Sequence, residues 1–218
     1  FRVEKDQEII FQDYVRGDMS FKSNDVEDFV ILRSDKSPTY HLASTVDDID
    51  YEITIIARGE DILSSTPKHI MIMNALNAKV PDFCHLPLLF GPDGKKLSKR
   101  HGDTSVSSFK ERGVLPETLF NYMSILGWSP GNDIEIFDKD FAINNFDLKN
   151  VLANPAIFDT QKLLWMNGQY IREFDEKIFN KIAYETIETS LSRELFSEEI
   201  ERINLILSVV QERLETLN

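Results

Sequence analysis

A single cysteine, Cys84, has nothing to pair with in this chain. An internal disulfide framework is therefore excluded, and a reducing, cytoplasmic setting is expected. Four scattered histidines and that one cysteine offer no zinc-ligand spacing. No apolar run approaches the length that spans a bilayer, so no membrane partner is expected. The opening residues, Phe1-Arg2-Val3-Glu4-Lys5-Asp6, are charged where a secretory leader is apolar. Positive charge is scarce: 24 Lys and Arg against 37 Asp and Glu leave a formal net charge of −13. That balance argues against generic nucleic-acid binding, although a local cationic site sets its own field. No internal repeat is evident. An initiator Met is also absent, so a piece of a longer protein is expected.

What is present suffices for folded cores. Hydrophobic residues make up 42% of the 218, with 15 phenylalanines, which sets the chain apart from disordered sequences. The length allows one large domain or two small ones. Cys84 falls in an expected strand and reads as a small core residue.

The scarce cations are concentrated. Four lie between Lys95 and Arg100, inside Gly91-Pro92-Asp93-Gly94-Lys95-Lys96-Leu97-Ser98-Lys99-Arg100-His101-Gly102. Leu86-Pro87-Leu88-Leu89-Phe90 precedes them and reads as a buried strand. The glycines allow tight turns and close approach of a ligand to the backbone. A basic loop at the end of a strand suits phosphates. Taken alone, such a run is more often a solvated, localisation or nucleic-acid patch. It is not a P-loop, because the glycine spacing is wrong and Leu97 follows the two lysines where Ser or Thr is required.

Residues 1–35 read as β-rich, with strands expected at Phe1–Lys5, Glu8–Asp13, Met19–Lys22 and Phe29–Leu32, and a turn at Gly17-Asp18. Residues 40–90 alternate helix and strand. A short helix is expected over Tyr40–Asp48. The β-branched run Glu52–Ala57 reads as a buried parallel strand. Thr66-Pro67 reads as an N-cap followed by Pro at the first helical position. Phe83–Phe90 is the next strand, which makes a strand–helix–strand unit of parallel type. From residue 105 the pattern is helical. Pro116 opens a helix with Leu119, Tyr122, Met123 and Leu126 on one face, ended by Gly127. Asp159 caps another that stops near Asn167-Gly168. Ile200, Ile203, Ile206, Leu207, Val210 and Leu214 form a last amphipathic stripe.

The run from Lys96 to Arg100 resembles the KMSKS loop of class I aminoacyl-tRNA synthetases. Five further segments extend the likeness: Val15-Arg16-Gly17-Asp18 with Asp28–Ser34; Pro38–Ala43 with Val46-Asp47-Asp48; Arg58–Pro67; His85–Leu89 running into the basic loop; and Leu163–Arg172. In this order they resemble the bacterial-type glutamyl-tRNA synthetase family over residues 1 to about 175. The family's His-Ile-Gly-His motif is nowhere in the chain, so the resemblance implies half of an active site. Ile62 and Ser44 also depart from the family's usual residues near its amino-acid pocket.

The resemblance implies an α/β fold followed by an all-α part. Residues 1–35 would end an acceptor-binding insert. Residues 36–108 would form the second half of a Rossmann-like catalytic domain, 109–175 a helical stem-contact domain, and 176–218 the start of a helical anticodon-binding domain. The implied activity is ATP-dependent joining of L-glutamate to tRNA(Glu) through an adenylate, with Mg2+ accompanying ATP and a monomer favoured. Glutaminyl-tRNA synthetase and a non-catalytic tRNA-binding module are the alternatives.

By resemblance Lys96 and Lys99 are the catalytic cations, and Leu88, Leu89, Leu97, Ser98 and Lys99 bind ATP. Tyr40, Ser44 and Arg58 bind glutamate. No metal ligand is implied. A guanidinium at a strand end can grip a carboxylate with two parallel bonds. Arg58 could instead serve a structural ion pair with Glu60 or Asp61, Tyr40 could pack a core, and Leu88 and Leu89 could be ordinary sheet residues.

Overall fold

The computed structural model describes residues 1–98 and 105–217. These divide into two compact units, 1–88 with 147–155 and 89–146 with 156–218.

The first unit is built on a four-stranded sheet of order β2-β1-β4-β3. Strand β1 (Glu8–Asp13) alternates exposed and buried side chains, which puts Ile9, Phe11 and Asp13 on the covered face. It turns through residues 14–16 into antiparallel β2 (Gly17–Lys22), with Asp13 opposite Gly17. Gly17 has φ +75, a left-handed conformation that closes this three-residue turn. Strands β3 (Ile55–Gly59) and β4 (Asp82–Leu86) pair in parallel, with Arg58 opposite His85. Between them runs α2 (Thr66–Ala75), and α1 (Tyr40–Asp50) precedes β3. Ile9, Phe11, Ile56, Ile70, Met73 and Phe83 fill the core. Cys84 is fully buried in β4.

Five expectations need correction here. Phe1–Lys5 and Phe29–Leu32 are not strands. Their backbones meet at Phe29 N to Phe1 O (3.2 Å), but Val3 N donates to the Asp28 carboxylate at 2.8 Å, so a side chain replaces the ladder carbonyl. Asp6 then breaks the run at φ +61. The Glu52–Ala57 strand starts three residues later, at Ile55. It forms one edge of this sheet, with Ile55 exposed. The expected Phe83–Phe90 strand is split. Pro87 has no N–H for the ladder, so β4 stops at Leu86, and Leu89–Phe90 forms β5 in another sheet. Finally, Ser65 rather than Thr66 precedes the first turn of α2, which leaves the Thr66 hydroxyl for other work.

In the second unit β5 pairs in parallel with β6 (Ala156–Ile157). The helices are α3 (Val106–Glu111), α4 (Pro116–Ile125), α5 (Lys139–Asn145), α6 (Thr160–Arg172), α7 (Glu176–Leu191) and α8 (Ser197–Gln211). Phe109, Val114, Tyr122, Leu126, Phe158, Leu163 and Met166 make its main core. The Asp159 carboxylate accepts the Gln161 and Lys162 N–H groups, the expected N-cap of α6. That helix does not stop at Asn167-Gly168 but continues to Arg172. Met123 and Ile206, expected on buried faces, are exposed. Among the described residues no helix is long and apolar enough to cross a membrane.

Candidate active site

The first unit gathers its polar side chains around Arg58. Residues 40, 44 and 48 of α1 recur every fourth position, so Tyr40, Ser44 and Asp48 share one helix face. Tyr40 and Asp48 are both close enough to act on the charge of Arg58. The Ser44 hydroxyl is buried and has no hydrogen-bond partner among the described residues. Burial is the main force raising the pKa of Asp48; the charge of Asp47 adds to it, while Arg58 opposes it.

Arg58 donates from three nitrogens. Nε reaches His85 Nε2 at 3.2 Å, one terminal nitrogen reaches His69 Nδ1 at 3.2 Å, and the other reaches the Thr66 hydroxyl at 2.9 Å. Its guanidinium also lies 5.9 Å from the Phe83 ring centroid. The alternative ion pair with Glu60 is not formed, because Glu60 is engaged by Arg16 and by Leu88 N (3.2 Å). The three acceptors on Arg58 are neutral groups, so none of them cancels its positive charge.

Behind this guanidinium stand residues that the sequence reading left unassigned. His85 Nδ1 lies 2.5 Å from Asp13 Oδ2, with both side chains fully buried. The Asp13 carboxylate also accepts the N–H groups of Val15, Arg16 and His85. Burial pushes the Asp13 pKa up, but these hydrogen bonds, led by the one from His85, outweigh it and the net shift is down. His69 Nε2 meets His41 Nδ1 at 3.0 Å. Burial and then the nearby cations, Arg58 first, push His69 down to about 3, and burial lowers His41 and His85 as well. One clue was legible: Arg58 follows one, and His85 lies within the other, of two strands expected to be parallel neighbours.

The loop candidates belong to the second unit. Leu97 N donates to Leu89 O at 2.7 Å, and Phe90 bridges Lys96, so the basic run leaves the sheet as a small hairpin. Gly94 sits at its tip with φ +71. The Leu89 and Leu97 side chains pack against the main core of this unit, while Lys95, Lys96 and Ser98 are exposed. Leu88 belongs to the first unit and gives its N–H to Glu60. Lys99 and Arg100 lie outside the described residues.

This fold is of the class I aminoacyl-tRNA synthetase kind. Residues 1–165 match the family described as tRNA synthetases class I (E and Q), catalytic domain, and the chain belongs to that family. It is 43% identical over 218 residues to a glutamate–tRNA ligase 1 of Caldanaerobacter subterraneus subsp. tengcongensis, covering 99% of this chain and 45% of that protein. Over 174 residues it is 49% identical to a glutamate–tRNA ligase of Aquifex aeolicus, covering 79% of this chain and 37% of the relative. The chain thus spans less than half the length of these relatives. Its backbone superposes with TM-score 0.87 and 31% identity on the crystal structure of a glutamate tRNA ligase from Elizabethkingia meningosepticum CCUG26117 in complex with its amino acid. That match covers 99% of this chain and 46% of the other.

Proposed function

We propose that the full-length protein is a cytoplasmic glutamate–tRNA ligase to which these residues contribute the second half of a Rossmann-like catalytic domain. The four-part division at residues 35, 108 and 175 belongs to the same reading. In the first step a glutamate α-carboxylate oxygen attacks the α-phosphorus of ATP, and pyrophosphate leaves. In the second, a terminal ribose hydroxyl of tRNA(Glu) attacks the acyl carbon, and AMP leaves.

The observation that carries the reading is Arg58. It stands at the carboxyl end of a parallel strand beside Tyr40, with its charge uncancelled by its hydrogen-bond partners. The names of the relatives and the amino-acid complex of the structural neighbour support it. Arg58 would grip a substrate carboxylate, Tyr40 would offer its hydroxyl, and the buried Ser44 hydroxyl would find its partner in the amino acid. Leu88 and Leu89 would flank adenine, with Leu97 and Ser98 beside the nucleotide. Lys96 and Lys99 would meet charge growing on the phosphoryl oxygens and the departing pyrophosphate. Among the described residues no group of three or more His, Cys, Asp or Glu could hold a metal ion. No residue is therefore assigned to Mg2+, which would arrive on the phosphates of ATP.

The test is charging by the full-length protein with labelled glutamate or glutamine, ATP and tRNA. Glutamate should be transferred, and Arg58→Ala should abolish transfer. Preferential charging of glutamine would overturn the assignment.

A further inference from the structure

We propose that Asp13 and His85 are positioning residues for Arg58, holding its guanidinium for an acidic substrate through a single imidazole tautomer. The inference rests on the reading of Arg58 as the glutamate-binding cation.

Asp13 is surrounded by donors. Val15 N and Arg16 N reach Oδ1 at 2.9 Å each, and His85 N reaches Oδ2 at 3.1 Å. These donors, with the one from His85 Nδ1, hold the Asp13 pKa below its ordinary value, so the carboxylate is ionised and only accepts. His85 Nδ1, 2.5 Å from Oδ2, must therefore carry a proton. His85 is buried and neutral, so its Nε2 carries the lone pair.

That lone pair fixes everything on its other side. Arg58 Nε–H points at it from 3.2 Å. Thr66 accepts from Arg58 at 2.9 Å, so its own hydroxyl hydrogen turns to His85 Nε2 at 3.1 Å. Arg58, Thr66 and His85 form a closed ring of donors and acceptors. His69 receives a further Arg58 N–H on Nδ1, so its Nε2–H donates to His41. Three of the five guanidinium hydrogens are thus committed to neutral acceptors. That leaves one hydrogen on each terminal nitrogen, to be shared between Tyr40, whose side chain also hydrogen-bonds this guanidinium, and a substrate carboxylate.

Replacing Asp13 by Asn reverses the logic at one atom. An amide NH2 facing His85 Nδ1 forces that nitrogen to accept, and the proton moves to Nε2. An N–H then confronts the Arg58 Nε–H, donor against donor. A buried carboxylate that selects an imidazole tautomer is a known catalytic device; here it would serve binding. His85→Gln escapes the problem, because an amide oxygen can face Arg58 whatever stands at position 13.

The experiment uses the full-length protein and ATP–pyrophosphate exchange, with glutamate Kd measured by calorimetry. Asp13→Asn should raise the glutamate KM and Kd roughly ten- to hundred-fold, the scale of one lost hydrogen bond to a charged group. The ATP KM, and kcat at saturating glutamate, should change little. The side-chain nitrogen resonances of His85 should show the proton moving from Nδ1 to Nε2. Asp13→Asn/His85→Gln should bind glutamate more tightly than Asp13→Asn alone. If Asp13→Asn does not fold, His85→Gln against His85→Leu makes the same comparison, with only the leucine variant losing affinity. Parallel rises in the KM for glutamate and ATP would overturn the proposal, as would a double variant no better than the single. Arg58→Ala separates the two layers. If it leaves glutamate Kd unchanged, the reading of Arg58 itself fails. If it raises Kd while the Asp13 and His85 variants do not, only the positioning role fails.

Discussion

Gly168 lies against the backbone carbonyl of Leu214: a Cβ on Gly168 would meet that oxygen at 2.9 Å and an Arg172 terminal nitrogen at 3.2 Å. Both residues belong to the second unit, and Gly168 sits in the middle of α6.

Gly168→Ala should therefore destabilise this unit. In an open helix the same change gains about 1 kcal/mol. Here the first close contact is backbone, which cannot swing away, and overpacking of this kind costs about 1–3 kcal/mol. Thermal unfolding of the variant should show a lower midpoint. An unchanged or raised midpoint would mean that the segment at Leu214 yields freely.

Next to it, Asn167 ties three backbone groups together. Its Oδ1 accepts Leu115 N at 2.8 Å, and its Nδ2 donates to Gly113 O at 3.1 Å and Glu215 O at 2.7 Å. Asn167→Leu keeps the approximate shape but strands the buried Leu115 N–H, at about 1–3 kcal/mol, and removes the amide bonds to Glu215 O and to Gly113 O, which still accepts Leu217 N at 3.3 Å. Denaturant titration should place it well below Asn167→Asp measured at low pH, where a protonated carboxyl keeps one donor and one acceptor. Equal losses would show that the bonds contribute less than the packing.

The histidine cluster of the first unit makes stability depend on pH. Histidines in the unfolded chain titrate near 6.5, whereas His69 in the fold titrates near 3 because of burial and then the neighbouring cations. Between those values the unfolded state binds more protons, so stability rises with pH. The contribution is complete above 6.5 and is lost as pH falls towards 3. His41 and His85 are shifted the same way and steepen the loss. Asp13, with a lowered pKa, adds a further loss below its ordinary 3.8. Each fully engaged histidine contributes a slope of about 1.4 kcal/mol per pH unit. Urea unfolding between pH 7.5 and 5 should show this decline, and His69→Gln should flatten it.

The basic loop allows a paired comparison. Lys95 is exposed, and its backbone N–H is held by Asp93 at 3.0 Å. Lys95→Ala should leave adenylate formation nearly intact in the full-length protein. Lys99→Ala should slow it roughly hundred-fold while glutamate affinity holds, because the cation meets charge that develops in the transition state. Single-turnover kinetics at saturating ATP distinguish the two; equal effects would reduce the loop to a generic patch.

Much of the frame was legible because its causes are local. Asp159 announces α6 by capping chemistry, and the β-branched run before Arg58 announces a strand. Pro87 was equally legible as a break, yet the apolar residues around it masked the missing N–H. Gly168 was read as a stop because a helical glycine usually marks an end; the carbonyl that requires it comes from 46 positions later, at Leu214. The same distance hid the cluster behind Arg58. Asp13 and His85 are 72 residues apart, and Arg58 and His85 are 27 apart. Contacts of that span arise from strand order, which single-residue patterns do not encode. The place of Arg58 near a strand end was legible because that feature is itself local.

Cys84 lies in β4, between β1 and β3, fully buried, with its thiol pushed up by burial and then by the Asp13 charge. The thiolate is the reactive form, so both burial and protonation silence it in the native sheet. Alkylation can proceed only when β4 parts from its neighbours. As the chain's sole cysteine, it is a built-in stopwatch for that opening. Its modification rate, read by mass alone, would time the breathing of the strand that carries His85, with no label added and no residue changed.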